Sequence, residues 1–382
     1  MRHPAPVKSS TFERRGIVEG FFGPPWSMAE RKRLFAFGAA RGMNTYLYAP
    51  KDDPYHRARW RSPYPKELWR AMLRLIGAAQ KRQIDFVYAF HPGAALCFTE
   101  DEPVRILLRK AQRFYAAGVR TFAVLFDDIP SRLEHARDRR QFGTSLARAE
   151  ATWLAKILAT QPASWRDAEW WICPSYYTPD PLLARVFGVF EDDFLDKLAA
   201  HLPREVACMW TGLAVVPEAI TLAHVRNVRK QLQRRLIIWD NYPVNDLSMA
   251  DELHLAPLAG RDPRLPREIY GYLNNPLLQP ALNLIPLASC FDYARAPQTY
   301  WPERSWRQAI SEQFGSRSLP HWRTLRNLFD LSRSAKKHKR PLIVPRRLKE
   351  QAADAWIYVE RNRRKRWARE LEPFLRLIKA AL

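Results

Sequence analysis

The chain has 382 residues, 47% of them hydrophobic and 14 of them Trp, with a net charge of +23 at pH 7. That length accommodates one domain of about 250 residues with a smaller one beside it, and that composition supplies a substantial core. No run approaches the roughly 18 to 20 uninterrupted apolar residues of a membrane helix, and the opening MRHPAPVKSSTFERR has no apolar segment of the kind a secretory signal needs. Cys97, Cys173, Cys208 and Cys290 lie far apart with no CxxC, so buried free thiols in a reducing compartment are expected, not a metal site or disulfides. A cytoplasmic location follows.

Eight short β-type runs appear in order, at 16–20 (GIVEG), 45–50 (TYLYAP), 84–90 (IDFVYAF), 122–128 (FAVLFDD), 170–177 (WWICPSYY), 206–212 (VACMWTG), 236–242 (LIIWDNY) and 271–276 (GYLNNP). They are nearly continuous apolar runs, as parallel strands covered on both faces require. Helical spacing fills most of the gaps. Leu68, Met72, Leu75, Ile76 and Ala79 form one stripe, and Leu107, Ala111, Phe114 and Tyr115 form another, with Gly118 at the position of a helix stop. Eight such units predict a (β/α)8 TIM barrel over 14–300, after an N-terminal tail at 1–13. A doubly wound sheet would need a Gly-rich phosphate turn after the first strand, and GFFGPPW is not one.

After about residue 300 the strand signals stop. Helical patterns at 305–314, 322–334 and 348–382, broken by Pro320, Pro341 and Pro345, predict a small C-terminal α-helical region over 301–382. Residues 331–382 hold 16 Lys and Arg against 5 Asp and Glu. That excess favours attraction to an acidic polymer or surface, with a solvated helical face as the plainer alternative. No zinc-finger or RNA-recognition signature accompanies it.

The active site of a barrel of this type lies at the C-terminal ends of its strands. There the sequence places Glu19, Gly20 and Phe22, then Lys51, Asp52 and Asp53, then His91. The later strands add Asp127 and Asp128, Tyr176 and Tyr177, Trp210 and Thr211, Trp239 to Tyr242, Asn245 and Asp246, and Asn274 and Asn275. Aromatic faces among amides and carboxylates suit a neutral sugar. A metal site would want clustered His or Cys, and a phosphate site Gly-rich backbone or Arg forks. Single strand-end Asp and Asn residues often only cap a helix or hold a turn. Two successive carboxylates, Asp127 and Asp128, are harder to assign that way, because burying them costs several kcal/mol unless they are paired or used.

Adjacency constrains their chemistry. A retaining glycosidase with its own nucleophile needs two carboxyl groups about 5 to 5.5 Å apart on opposite faces of the scissile bond, which neighbours fit poorly. One carboxyl as acid and base, with the other steering a nucleophile that belongs to the substrate, fits better.

These residues resemble glycoside hydrolase family 84, the β-N-acetylglucosaminidases that include O-GlcNAcase and bacterial enzymes once called hyaluronidases. The resemblance rests on GIVEGFFGPPWS at 16–27, NTYLYAPKDDPYHRARWRSPYP at 44–65, GVRTFAVLFDDI at 118–129 and CPSYY at 173–177. It continues through WTG at 210–212, IIWDNYPVND at 237–246, LAPLAGR at 255–261 and NNP at 274–276. It implies substrate-assisted hydrolysis of a β-GlcNAc-bearing glycoconjugate or glycoprotein through an oxazoline, with no cofactor. Asp127 would hold the acetamido N–H, Asp128 would be acid and then base, and Tyr177 would support the acetamido oxygen. Those roles require Asp127 ionised and Asp128 protonated at the start. Trp239 would wall the acetamide pocket, and Gly20, Lys51, Asn241, Asp246 and Asn275 would bind the sugar. Phe22 stands where relatives often have Tyr, His91 where Ser is common and Tyr176 where Glu is frequent. The alternatives are an endo-acting glycosaminoglycan hydrolase and a catalytically weak sugar- or polyanion-binding barrel.

Overall fold

The computed structural model describes residues 11–379. Its eight strands are β1 (Arg14–Glu19), β2 (Thr45–Tyr48), β3 (Asp85–Phe90), β4 (Thr121–Leu125), β5 (Glu169–Cys173), β6 (Ala207–Trp210), β7 (Leu236–Asp240) and β8 (Gly271–Asn274). All neighbours pair in parallel, and β8 returns to β1 to close the barrel. The fold is the (β/α)8 TIM barrel expected from the eight runs. Every residue of β2, β4, β6, β7 and β8 is buried, which is why these segments show no polar alternation.

The strands stop earlier than the apolar runs suggest. β4 ends at Leu125 and β5 at Cys173, so Asp127, Asp128 and Tyr177 stand on the loops beyond. Asp128 has φ +62°, a left-handed conformation that no strand can continue through. The register Leu125 opposite Cys173 and Asp240 opposite Asn274 brings these strand ends to one rim.

The helix Lys66–Gln80 buries Met72, Leu75, Ile76 and Ala79, whereas Leu68, on the same predicted stripe, is exposed. The helix Glu102–Ala116 ends two residues before Gly118, whose φ of +91° makes the stop. The helix Met28–Ala39 begins with a capping box in which Glu30 N donates to Ser27 Oγ and Ser27 N to Glu30 Oε2. One residue further on, Arg31 forks onto Glu19 at the end of β1, with N···O distances of 2.9 and 2.7 Å.

Of the expected tail, residues 1–10 lie outside the described residues. Phe12 is not tail-like: it is fully buried and stacks on Tyr272 with ring centroids 5.2 Å apart. The C-terminal region folds as the helices Pro302–Phe314, Leu319–Lys337, Arg346–Arg361 and Arg366–Lys379. The expected single helix over 348–382 is therefore two, and its last three residues lie outside the described residues. The break follows from Arg361, Arg363, Arg364, Lys365 and Arg366, whose like charges would crowd successive helical turns. Asn362 closes the first helix with Nδ2 on the Tyr358 carbonyl at 2.8 Å. These helices bury Trp306, Trp322, Leu325 and Leu371 in a second cluster with Leu253 and Leu255 after β7 and Leu277, Leu282 and Ile285 after β8. No helix among the described residues is long and apolar enough to cross a membrane.

Glu19 and Arg31 are both almost fully buried. Glu19→Ala is expected to lower unfolding stability by about 3 to 5 kcal/mol, because it strands a buried guanidinium. Denaturant titration measures this, and a loss under about 1 kcal/mol, typical of a surface pair, would show that the pair does not anchor β1.

Candidate active site

Lys51, from the loop after β2, brings the two carboxylates together. Its buried ammonium pairs with Asp127 Oδ2 and lies 3.4 Å from Asp128 Oδ2. In a strand, successive side chains point to opposite faces. The left-handed turn at Asp128 breaks that alternation, so both carboxylates reach one cation. Asp tolerates this conformation better than most residues, yet such a backbone costs of order 1 to 3 kcal/mol and is typically kept where function demands it.

The two carboxylates then differ. Asp127 is buried, and its Oδ1 receives no hydrogen bond from the protein. Burial alone would raise its pKa; Lys51, and then His91 and Arg57, reverse this and hold the carboxyl at about 2. The Lys51 ammonium is likewise opposed by burial but raised above its usual value by Asp127 and Asp128. Asp128 accepts the Tyr177 hydroxyl at Oδ1, at 3.0 Å. Burial, followed by Asp128 and Asp127, pushes the Tyr177 phenol up, so it stays a donor.

His91 braces Asp127 from the end of β3. Its Nε2 lies 2.8 Å from the Asp127 carbonyl, which can only accept, so Nε2 carries the proton. Burial lowers His91 to about 4, so the ring is neutral at ordinary pH. Its backbone N–H donates in turn to the His56 carbonyl. The sequence places His91 at the rim, but its acceptor is a backbone carbonyl, which leaves no mark in the amino-acid order.

The opposite wall comes from β1, β7 and β8. Trp239 Nε1 and Asn275 Nδ2 both donate to Asn241 Oδ1 at 2.9 Å, and Asn241 Nδ2 donates to the Val215 carbonyl at 2.7 Å. This network fixes both amide orientations. Asn275 Oδ1 accepts from Gly20 N at 3.3 Å. Gly20 is required sterically, since a Cβ there would stand 2.4 Å from Trp239 Cζ2. Asp246 Oδ2 accepts the Phe22 N–H at 2.8 Å, and burial raises the Asp246 pKa. The Lys51 ammonium sits 5.4 Å from the Phe22 ring centroid and 5.8 Å from that of Trp239, which joins the two walls. All nine sequence-predicted site residues thus fall into one connected rim.

Other rim carboxylates are structural. Glu19 is committed to Arg31 and Tyr46, and Asp53 to the Tyr48 and Tyr64 hydroxyls at 2.7 and 2.6 Å. Asp240 is forked by Arg261 and also takes the Tyr272 hydroxyl. Asn245 is spent on the Glu252 carbonyl, Gln279 and Leu278 N. Tyr176 turns away to pack on Phe190, Phe194 and Trp210. Among the described residues, no three His, Cys, Asp or Glu side chains are placed to hold a metal ion.

A family profile described as beta-N-acetylglucosaminidase (NAGidase) matches residues 15–327, most of the chain. The chain belongs to glycoside hydrolase family 84. This family-84 chain is 35% identical over 263 residues to Protein O-GlcNAcase from Rattus norvegicus and, at the same identity, from Mus musculus. The match takes in 68% of the chain but spans only 28% of those relatives' length. Among solved structures it resembles a mutant O-GlcNAc hydrolase from Thermobaculum terrenum, with TM-score 0.79 and 36% identity over 84% of this chain and 67% of that one. It also resembles CpGH84B, with TM-score 0.72 and 30% identity over 83% of this chain and 54% of that one.

Because Asp127 titrates at about 2 when folded, against its ordinary 3.8, its ionisation stabilises the fold above about pH 4. That contribution is lost as pH falls through 2. Replacing Lys51 with Met removes the strongest opposition to burial and leaves only the weaker pull of His91 and Arg57, so the Asp127 carboxyl is expected to titrate well above 2. Carboxyl NMR titration of the variant checks this; a value still near 2 would show that Lys51 is not what holds the charge.

Proposed function

We propose that the protein is a retaining exo-β-N-acetylglucosaminidase in which the substrate's acetamide is the nucleophile. The observation that carries this reading is the unoccupied acceptor Asp127 Oδ1, buried on a carboxylate held ionised beside a second carboxylate of different surroundings. An acetamido N–H donating to Asp127 Oδ1 gains negative charge on its carbonyl oxygen, which attacks the anomeric carbon and closes an oxazoline. Asp128 gives its proton to the leaving oxygen and later removes one from the water that opens the ring. The Tyr177 hydroxyl, already on Asp128, is placed to hold the acetamido oxygen. Trp239 supplies an apolar face to the acetamido methyl. Gly20, Lys51, Asn241, Asp246 and Asn275 receive the sugar hydroxyls and shape the pocket.

In this reading residues 14–300 form the catalytic unit and 301–382 a basic helical region. The substrate is a terminal β-linked GlcNAc on a glycoprotein, supported by the names O-GlcNAcase and O-GlcNAc hydrolase borne by similar proteins.

A 4-nitrophenyl β-GlcNAc glycoside is expected to be hydrolysed, and Asp128→Asn to lose about 10² to 10⁴ in kcat/KM. The loss should shrink for a 2,4-dinitrophenyl leaving group, which needs little protonation. An equal loss for both leaving groups would remove Asp128 from the acid role. A wild-type protein inert on every β-GlcNAc glycoside would overturn the whole reading.

A further inference from the structure

The sugar pocket leaves one strong feature unused. The helix Leu319–Lys337 ends in the run KKHKR at 336–340, and its end is fastened to the loops that flank the pocket. Lys336 Nζ donates to the Ser248 carbonyl at 2.8 Å and pairs with Asp251 and, at 3.2 Å, with Glu252. Ser248 lies two residues after Asp246 on the loop after β7. Lys337 pairs with Glu218, on the loop after β6 whose Val215 carbonyl holds Asn241. The basic run therefore sits at the face of the barrel where the pocket opens.

Its charge is only partly spent there. Lys336 and Lys337 neutralise local carboxylates, whereas Lys339 and Arg340 are exposed and make no ion pair among the described residues. The turn that presents them is built: Lys339 has φ +51°, and Arg340 N donates back to the Ala335 carbonyl at 2.9 Å. The same two loops expose apolar side chains, with Leu213 at 54% and Leu247 at 67%.

We propose that Lys339 and Arg340 form a docking site for an acidic stretch of the polypeptide that carries the sugar. The inference rests on the glycosidase reading of the pocket and extends it to the aglycone. GlcNAc is neutral, so free cations outside its pocket do nothing for the sugar. They act on what continues beyond the glycosidic oxygen. Aliphatic Leu213 and Leu247 suit polypeptide side chains and offer nucleobases no stacking platform. Carboxylates complement the uncompensated cations, and the +23 net charge draws such a substrate in from a distance.

Two O-GlcNAc peptides test this with the full chain, alike around the sugar and flanked by Asp and Glu in one and Asn and Gln in the other. At low salt the acidic peptide should have about tenfold higher kcat/KM, falling to about twofold or less at 0.5 M NaCl. Lys339→Glu with Arg340→Glu should abolish or reverse that preference. Turnover of 4-nitrophenyl β-GlcNAc should stay within about twofold of wild type, as expected for surface charges away from the pocket; this also reports that the variant is folded. Equal kcat/KM for both peptides in the wild type, with the small glycoside turned over normally, overturns the docking site and leaves the glycosidase reading intact. A preference for the acidic peptide that the double variant retains also overturns it. So does 336–340-dependent binding of a single-stranded RNA probe in a wild type that shows no peptide preference, which assigns the patch to nucleic acid. Failure to hydrolyse even the small glycoside overturns both readings.

Discussion

The rim is organised by one buried ion pair, Lys51 with Asp127. An ionised carboxylate taken out of water costs several kcal/mol unless a counter-charge and hydrogen bonds replace its solvation. Lys51 supplies the counter-charge, and His91 holds the backbone of the same residue. Because the loop after β2 must deliver the ammonium to the end of β4, strands that are not neighbours in the sheet become interdependent. The loop is itself fixed from within: Asp53 takes the hydroxyls of Tyr48 and Tyr64, and Lys110 donates to the carbonyls of Tyr55, Trp60 and Ser62. Burial lowers Lys110 to about 7, against the three carbonyl acceptors, which use all three N–H donors of the ammonium and so favour its charged form.

The same rim contains other buried carboxylates, and the contrast between them carries the functional argument. Glu19 and Asp240 each meet a forked arginine and a tyrosine hydroxyl. Their acceptor capacity is used within the protein. Asp127 differs in keeping one buried oxygen unused beside a fixed cation. A carboxylate completed by its own fold stabilises that fold; one left incomplete is ready for a donor from outside.

Much of this was legible in the amino-acid order because parallel strands buried on both faces leave a simple mark, an apolar run ending in polar residues. Eight such runs located β1 to β8, and their ends located Asp127, Asp128, Tyr177 and Asn241. Division of labour among those ends was less legible. Glu19 and Asp127 occupy similar places in the sequence, and only their partners, Arg31 and Lys51, separate an acid whose oxygens are used within the protein from one that keeps Oδ1 open. Those partners come from different distances along the chain, so no local pattern reveals them. The bracing by His91 was hidden because it acts on a backbone carbonyl, which any residue has. The strand ends were overrun by a few positions, because an apolar run does not record where a ladder stops. The split in the last helix turned on repulsion among five cations, whereas the apolar stripe continued on both sides of the break.

The second hydrophobic cluster ties the pocket to the far end of the chain. Leu253, Leu255, Leu277 and Leu282, on the segments that follow β7 and β8, have their apolar partners among the C-terminal helices. Asp246 and Asn275 stand seven and two residues before Leu253 and Leu277 in the same segments. The terminal helices therefore act as a scaffold for one half of the rim, in the way a keystone holds an arch it does not belong to. A nick or frameshift that removed them would leave eight strands still able to pair, but with the β7–β8 side of the pocket unsupported. Residues far along the chain from Asp246 and Asn275 are thus answerable for the shape of the rim on which those two stand.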